Sequence, residues 1–362
     1  DKILLVARRE DVRRASRLIG AHPMEIERVI IVGGGRVAEL SAAALRKAGR
    51  RVLLVHNDQT RAQEIAERNP KIDVVVADPT DPRVLQSLEI GAGEVLFTTD
   101  GFTVQPLEFP GGNIGSLAVH GTTNDLAVAG AVPKYLSLNA FIEEGMPVEQ
   151  LERIIGSLAA AARETGVAVA AGDTKVVRRG EGGGLYLATT GLGVRTGPRL
   201  GLDRVEAGDA IVVSGPVGDH GIAVMLAREE FGLRGDLVSD AGPVMSLTEP
   251  LLAFAGLRFM RDPTRGGLAT VMHELMHATG LQMRLEQTSV PVHDPVQSVC
   301  EMLGYDPLYL ACEGRVVAVA DPAAADQVLS AWRALDPGSE DAMICEIVNG
   351  PHAVTMVTEI GG

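Results

Sequence analysis

Short apolar runs alternate with amphipathic stretches over the first ninety residues of the chain. The stretches up to about Lys47 and from about Thr60 to Arg68 repeat apolar residues at helical spacing. The apolar runs around them have the length of buried strands and lie at residues 28–32, 51–55 and 72–77. Because strands and helices alternate in this order, we predict a βαβαβ unit with a parallel sheet over residues 1–90.

The turn after the first predicted strand has the spacing of a dinucleotide-binding fingerprint. It reads Gly33-Gly-Gly35-Arg-Val-Ala38, a G-x-G-x-x-A pattern between a strand and a helix. Glycines at these positions let the backbone approach a pyrophosphate, so Gly33 and Gly35 are candidate NAD(H)-binding residues. The acidic residue expected to hold the ribose hydroxyls is replaced by His56. A Rossmann-shaped unit that binds no nucleotide is therefore the alternative.

From Gly91 onward, polar and glycine-rich turns follow the predicted elements closely. These elements are a strand at 95–99 before Asp100, a helix at 113–130 with Asn124 and Asp125, a helix at 147–164, and a strand at 167–171 before Gly172-Asp173-Thr174-Lys175. After a linker at about 196–208, glycine turns open helices at Gly218 and Gly266, neither with the Walker spacing. We predict an α/β protein with domains at residues 1–90, 91–200 and 201–362.

Composition and charge narrow the classes of protein that fit these elements. The 362 residues include 42 glycines but only 1 Trp, 4 Tyr and 7 Phe, which predicts aliphatic cores and many tight turns. A net charge of −14 disfavours a nucleic acid or an anionic membrane as the main partner. The sequence has no apolar run long enough to span a membrane. Cys300, Cys312 and Cys345 have no paired spacing, which favours a reducing compartment, so we predict a cytoplasmic protein.

Three acidic residues of the middle domain are candidate metal ligands. Asp100, Asp125 and Asp173 each lie beside a threonine or glycine at a predicted strand end or in a helix. Carboxylates presented in this way suit Mg²⁺, which keeps its remaining positions for water and phosphate. Each of them taken alone is also typical of ordinary turn and cap chemistry. All three together favour an Mg²⁺-nucleotide site.

Longer stretches of the sequence carry resemblances to known families. They include FTTDGFTVQPLEFPGGNIGSLAVHGTTNDLAVAGA, AGDTKVVRRG, VSGPVGDHGIAVMLARE, MRDPTRGGLATVMHEL and GYDPLYLACEGRVVAV. From about Gly93 to Gly362 the chain resembles the HypE family of hydrogenase maturation factors, in the aminoimidazole ribonucleotide (AIR) synthetase superfamily. Residues 1–90 resemble the nucleotide-binding lobe of TrkA-type potassium-uptake regulators. The resemblance implies a Rossmann-like lobe followed by the two-domain AIR synthetase fold, which is α+β.

This resemblance implies an enzyme that uses ATP to dehydrate a cysteine S-carboxamide to a thiocyanate, the cyanide source for NiFe hydrogenase. It implies that Asp100, Asp125 and Asp173 bind Mg²⁺-ATP together with Asn124, Gly172 and Thr174. Lys175 would stabilise a phosphate or oxyanion, Glu313 would accept the amide proton, and Asp125 is a second candidate for that step. The implied partners are a second copy of the chain, HypF, and the HypC–HypD complex.

The sequence departs from the family at both ends. The glycine-rich N-terminal loop of the family and its C-terminal tail, which ends in Pro-Arg-Ile-Cys, have no counterpart in the 362 residues. We therefore expect an incomplete phosphate-binding part and no substrate cysteine.

Two other functions remain open from the sequence. One is a nucleotide-sensing or scaffold protein that binds NAD(H) or maturation partners without turnover, and the other is a related synthetase such as selenophosphate synthetase. A third, a zinc peptidase, is disfavoured although His273-Glu274-Leu-Met-His277 matches H-E-x-x-H. Met283 occupies the place of a third histidine, and the helical spacing predicts that both histidines face solvent.

Overall fold

The computed structural model describes residues 28–32, 36–47, 49–56, 59–76, 94–228, 235–336 and 340–358. Gly33 and Gly35 therefore lie outside the described residues. The first elements are β1 (Arg28–Val32), α1 (Arg36–Lys47), β2 (Arg51–His56), α2 (Gln59–Arg68) and β3 (Asp73–Val76). This order confirms the predicted βαβαβ unit, whose core includes Ala42, Leu54 and Ile65.

The parallel strands of this lobe belong to the same sheet as the strands of the next domain. The seven-stranded sheet has the order β3-β2-β1-β4-β9-β7-β8, in which β4 is Val95–Phe102, β7 is Ala131–Glu143, β8 is Ala168–Val177 and β9 is Leu185–Arg195. Strand β1 pairs in parallel with both β2 and β4, and Val29 lies opposite Val95. The order 3-2-1-4 is that of a Rossmann half, so β4 serves as its fourth strand. The C-terminal ends of β1 and β4 therefore point to the same side of the molecule.

Two helices cover one face of the middle domain. They are α3 (Ile114–Val128) and α4 (Val148–Glu164), and a small hairpin, β5 (Glu108–Phe109) and β6 (Gly112–Asn113), precedes α3. Their core joins Phe102, Ile114, Leu136, Ile154 and Leu187. Both helices were predicted from the sequence and are confirmed.

The structure corrects two predicted strand ends. Strand β4 continues past Thr99 because Asp100 and Phe102 pair with Thr189 and Leu187 of β9. Strand β8 continues past Ala171 to Val177, because the Gly172–Lys175 segment pairs with β7. Asp100 and Asp173 therefore lie within strands and not in turns after them.

The last domain is a six-stranded sheet with helices on both faces. Its strands, in the order β11-β13-β10-β14-β12-β15, are β10 (Ala210–Val213), β11 (Leu257–Arg261), β12 (Gln282–Glu286), β13 (Val317–Ala320), β14 (Ala342–Val348) and β15 (Val354–Val357). Its helices are α5 (Asp219–Ala227), the short α6 (Met245–Thr248), α7 (Gly267–Thr279), α8 (Asp294–Leu303) and α9 (Pro322–Leu335). Short 3₁₀ turns lie at Leu202–Arg204, Glu249–Ala253, Gln287–Ser289 and Pro307–Tyr309.

Alternation along the central strand β10 assigns the two faces of this sheet. Ile211 and Val213 pack with Leu268 of α7, whereas Ala210 and Val212 pack with Trp332 of α9. The second cluster also contains Ala127 and Val128 from the end of α3. The buried helix of the middle domain therefore contacts the core of the last one. In the part of the chain that the structure covers, no helix is long and apolar enough to cross a membrane.

Candidate active site

Helix α3 carries polar residues from the middle domain into the contact with the last domain. Asn113 caps its N-terminus by accepting hydrogen bonds from the amides of Gly115 and Ser116 at 2.9 and 3.2 Å. Almost every residue of the helix is buried, including Thr122, Thr123 and Asn124. Polar side chains this deep need fixed partners, so those near the C-terminal end are held in defined positions.

Two of the predicted magnesium ligands face each other across the space between β4 and α3. Thr98 and Asp100 are two residues apart on β4, so both side chains face α3. The Thr98 hydroxyl donates a 2.8 Å hydrogen bond to Asp125. Burial, and next the negative charge of Asp262, raises the pKa of Asp125 to about 7. Burial also raises the pKa of Asp100. Both carboxylates lack a cation close enough to offset their desolvation.

Glu313 reaches the same region from the last domain. It lies just before β13, and its partly buried side chain lies near the carboxylates of the middle domain. Burial, and then the charges of Asp262 and Asp240, raises the pKa of Glu313 well above its usual value. Asp100 and Asp125 contribute in the same direction. The structure thus brings Asp100, Asp125 and Glu313 together, as the predicted site requires.

The side chain of Asn124 links the two domains by hydrogen bonds next to these carboxylates. Its side-chain amide donates hydrogen bonds to the carbonyls of Gly242 and Glu313 at 2.9 and 3.1 Å, and its Oδ1 accepts one from Val244 at 3.0 Å. The residue is only 1% exposed. Both N–H groups of its side-chain amide are used by backbone carbonyls, so Asn124 has no free side-chain N–H to donate to a nucleotide in this conformation.

Asp173, Thr174 and Lys175 lie elsewhere in the subunit. The register pairs Gly172 with Leu138 of β7, Leu138 with Thr189 of β9, and Thr189 with Asp100. Three strand spacings of roughly 4.8 Å separate β8 from β4, about 14 Å in all. Because side chains alternate, Asp173 and Lys175 point away from the α3 side, where they form an exposed 2.8 Å ion pair.

Close backbone packing explains the glycine at the start of this segment. A Cβ on Gly172 would stand 2.2 Å from the carbonyl oxygen of Leu138. The glycine is therefore needed for strand packing, whatever its part in binding.

Sequence reasoning missed two acidic residues of the site, Asp262 and Asp240. Asp262 is 4% exposed, directly follows β11, and is the leading charged neighbour that raises the pKa values of both Asp125 and Glu313. The side chain of Asp240 is 1% exposed and bonds to the backbone of the Glu313 segment. The DPTRGG motif contains Asp262 and could have signalled it, whereas nothing local distinguishes Asp240 in the sequence.

The donor set fits Mg²⁺ bound together with phosphate. No group of three or more His, Cys, Asp or Glu side chains in the described ranges could hold a metal ion by itself. Mg²⁺ commonly takes one or two carboxylates and fills its shell with water and phosphate oxygens. Asp100 and Asp125, whose desolvation outweighs the charges of Arg265 and Arg261, meet that requirement.

The histidines of the H-E-x-x-H segment do not take part in this cluster of carboxylates. His273 and His277 are exposed on α7, and Glu274 pairs with Arg261 at 3.6 Å, while Met272 and Leu275 face the core. The exposed placement predicted from the helical spacing is confirmed. Cys300, Cys312 and Cys345 are buried and unpaired.

Comparisons with known domain families account for most of the chain. Residues 80–195 match the family described as AIR synthase related protein, N-terminal domain. Residues 206–356 match the family described as AIR synthase related protein, C-terminal domain. The TrkA-N domain matches residues 29–101, a range that ends in β4. The two-domain fold with carboxylates at the domain contact thus defines an AIR synthase-related protein.

Individual relatives narrow this class. The carbamoyl dehydratase HypE of Rhizobium leguminosarum bv. viciae is 46% identical over 280 residues, which cover 76% of this chain and 80% of that protein. The structure of HypE in a HypE–HypF complex matches with a TM-score of 0.73 and 40% identity, covering 79% of this chain and 95% of that one. HypE in complex with ATP matches with a TM-score of 0.71 and 36% identity, covering 79% and 88%. The chain belongs to the HypE carbamoyl dehydratase family.

Proposed function

We propose that the chain uses ATP to dehydrate a cysteine S-carboxamide to a thiocyanate, as a maturation factor for NiFe hydrogenase. The observation that carries the proposal is the convergence of Asp100, Asp125, Asp262 and Glu313 at the contact of the two domains. Membership of the HypE family supplies the reaction. The sensor and selenophosphate synthetase alternatives have no comparable support.

The chemistry explains why ATP and a buried base are both needed. An amide oxygen is a poor leaving group, so the γ-phosphoryl group is transferred to it and ADP departs. An N–H proton is lost as the O-phosphorylated intermediate forms. Removal of the second N–H proton then drives cleavage of the carbon–oxygen bond, phosphate leaves with the bonding electrons, and the carbon–nitrogen triple bond forms.

Glu313 is our candidate for the proton acceptor. Burial among carboxylates makes its carboxylate a strong base, because the same environment raises its pKa. Mg²⁺ bound with ATP at Asp100 and Asp125 would supply positive charge that stabilises the phosphates and lowers the cost of ionising these acids. Glu313 lies next to that site and could then take the amide proton.

We propose that Asp173 and Lys175 act on a site of a second copy of the chain. Within one subunit they lie on the opposite sheet face and about 14 Å from Asp100. Two features support a homodimer: β8 is the last strand of the sheet order, and Tyr135 and Phe141, on the face of Asp173 and Lys175, are 49% and 38% exposed. Mixing inactive Asp125→Asn and Asp173→Asn proteins would restore activity if the two residues act across subunits, and would not if they act within one.

We retain two further proposals from the sequence. One is NAD(H) binding by Gly33 and Gly35, which follow β1 in the sequence, and the TrkA-N match supports it. The known HypE–HypF complex supports HypF as a partner, and HypC–HypD remains a proposed one.

The test is conversion of a synthetic peptide with an S-carbamoyl cysteine, followed by mass spectrometry. We expect the whole chain with Mg²⁺ and ATP to produce the thiocyanate, and Glu313→Gln to reduce the rate by about 10²-fold or more, the usual size of such a contribution. Glu301→Gln, at an exposed position on α8, is the matched control. An unchanged rate in Glu313→Gln would overturn the assignment of the base.

A further inference from the structure

A chain of polar contacts runs from the surface of the last domain to the backbone of Glu313. His293 Nδ1 lies 2.9 Å from Asp219 Oδ1, and the Arg315 guanidinium lies 3.2 Å from Asp219 Oδ2. Arg315 Nε is also 3.6 Å from Asp240 Oδ2. Asp219 and Asp240 are 5% and 1% exposed at their side chains, so Arg315 joins two buried carboxylates.

Asp240 uses both of its oxygens on the segment that presents Glu313. Oδ1 accepts a hydrogen bond from the Glu313 amide at 3.2 Å, and Oδ2 accepts one from the Gly314 amide at 3.3 Å. The two segments lie so close that a Cβ on Gly314 would stand 1.8 Å from the Asp240 carbonyl oxygen. The contact therefore requires glycine at residue 314, and it fixes the amide side of Glu313.

The carbonyl side of Glu313 is fixed from the other domain. Asn124, the residue before Asp125, donates a hydrogen bond from its side-chain amide to the Glu313 carbonyl at 3.1 Å. With its N–H held by Asp240 and its C=O held by Asn124, the backbone of Glu313 has one orientation relative to α3. That orientation sets the direction in which the Glu313 side chain leaves the backbone.

We propose that Asp240, supported by Arg315, is a positioning residue that holds Glu313 in the orientation needed to take the substrate proton. The proposal rests on the proposed function. A carboxylate suits this task because it offers an acceptor to each of two adjacent amides, whereas an asparagine side chain offers a single oxygen. Arg315 offsets the charge of Asp240, which would otherwise be costly to bury near Asp219.

The test is Asp240→Asn in the full chain, compared with Asp236→Asn, an exposed position in the same segment. We expect the turnover number for the S-carbamoyl peptide to fall at least about tenfold while the KM for ATP stays within about twofold, because misplacement of a reacting group affects the chemical step. We also expect faster hydrogen exchange at the amides of Glu313 and Gly314, measured by nitrogen-15 NMR. The control should behave as the unsubstituted protein.

Two outcomes would overturn the proposal. One is an unchanged turnover number in a folded Asp240→Asn protein, and the other is a loss of ATP binding equal to the loss of turnover. Should that variant fail to fold, Arg315→Lys keeps the charge but cannot bridge both carboxylates, and the same selective fall in turnover number is expected. Failure of the proposed function can be told apart from failure of this proposal. Hydrogen exchange at the amides of Glu313 and Gly314 reports their contact with Asp240 even if the protein shows no turnover.

Discussion

Replacing Asp125 by asparagine should stabilise the protein in the absence of metal and nucleotide, although it should abolish the proposed activity. Burial and neighbouring acids raise the pKa of Asp125 from 3.8 to about 7, so the folded protein disfavours the ionised carboxylate. A carboxyl group with a raised pKa in the folded state favours folding at low pH, and this contribution disappears as the pH rises through the folded-state value. At neutral and higher pH the ionised Asp125 is therefore a cost.

The expected size follows from that pKa difference. A rise from 3.8 to about 7 corresponds to about 4 kcal/mol at pH 8 and about 2 kcal/mol at pH 5. Asparagine keeps an oxygen that can accept the Thr98 hydrogen bond, so the packing changes little. The stabilisation should therefore grow by roughly 2 kcal/mol between pH 5 and pH 8.

Urea denaturation at the two pH values, in the presence of a chelator, measures this difference. Asp173→Asn is the matched control, because Asp173 is exposed and its hydrogen bond with Lys175 lowers its pKa. That variant should show no gain in stability at pH 8. A gain in Asp125→Asn that is equal at both pH values, or no gain at all, would refute the account of a desolvated carboxylate cluster.

Two further predictions concern the domain contact and the H-E-x-x-H segment. Asn124→Ala removes three hydrogen bonds at a buried position and should lower the free energy of unfolding by about 3 kcal/mol, whereas Asn349→Ala, in an exposed turn after β14, should change it little. Denaturation curves of the two variants decide this, and equal effects would contradict the role of Asn124. His273→Ala should leave the metal content of the purified protein unchanged, as judged by elemental analysis, and a loss of stoichiometric zinc would contradict the placement of His273 in solvent.

Local pattern was sufficient to predict much of the fold. The apolar runs and helical spacing predicted β1, α1, β2 and α4, because each buries apolar positions that the sequence displays directly. The continuous sheet from β3 to β8 could not be predicted in this way, since the pairing of β1 with β4 joins segments more than sixty residues apart.

The candidate site, too, could be predicted from the sequence only in part. Asp100 and Asp125 were found from the pattern of carboxylates and Glu313 from the family resemblance, and the structure brings them together. The position of Asp173 was misjudged because strand β8 continues through the segment that was expected to be a turn. Asp240 and Asp262 were missed because their importance arises from burial beside residues of other segments, which no local pattern displays.

The fate of the carboxamide oxygen tests the central claim most directly. A peptide whose S-carbamoyl oxygen is oxygen-18 would be incubated with the whole chain, Mg²⁺ and ATP, and the inorganic phosphate would be analysed by mass spectrometry. Phosphorylation of the amide oxygen predicts one labelled oxygen in phosphate for each thiocyanate formed. Thiocyanate formed together with unlabelled phosphate, or release of phosphate without any thiocyanate, would contradict the account.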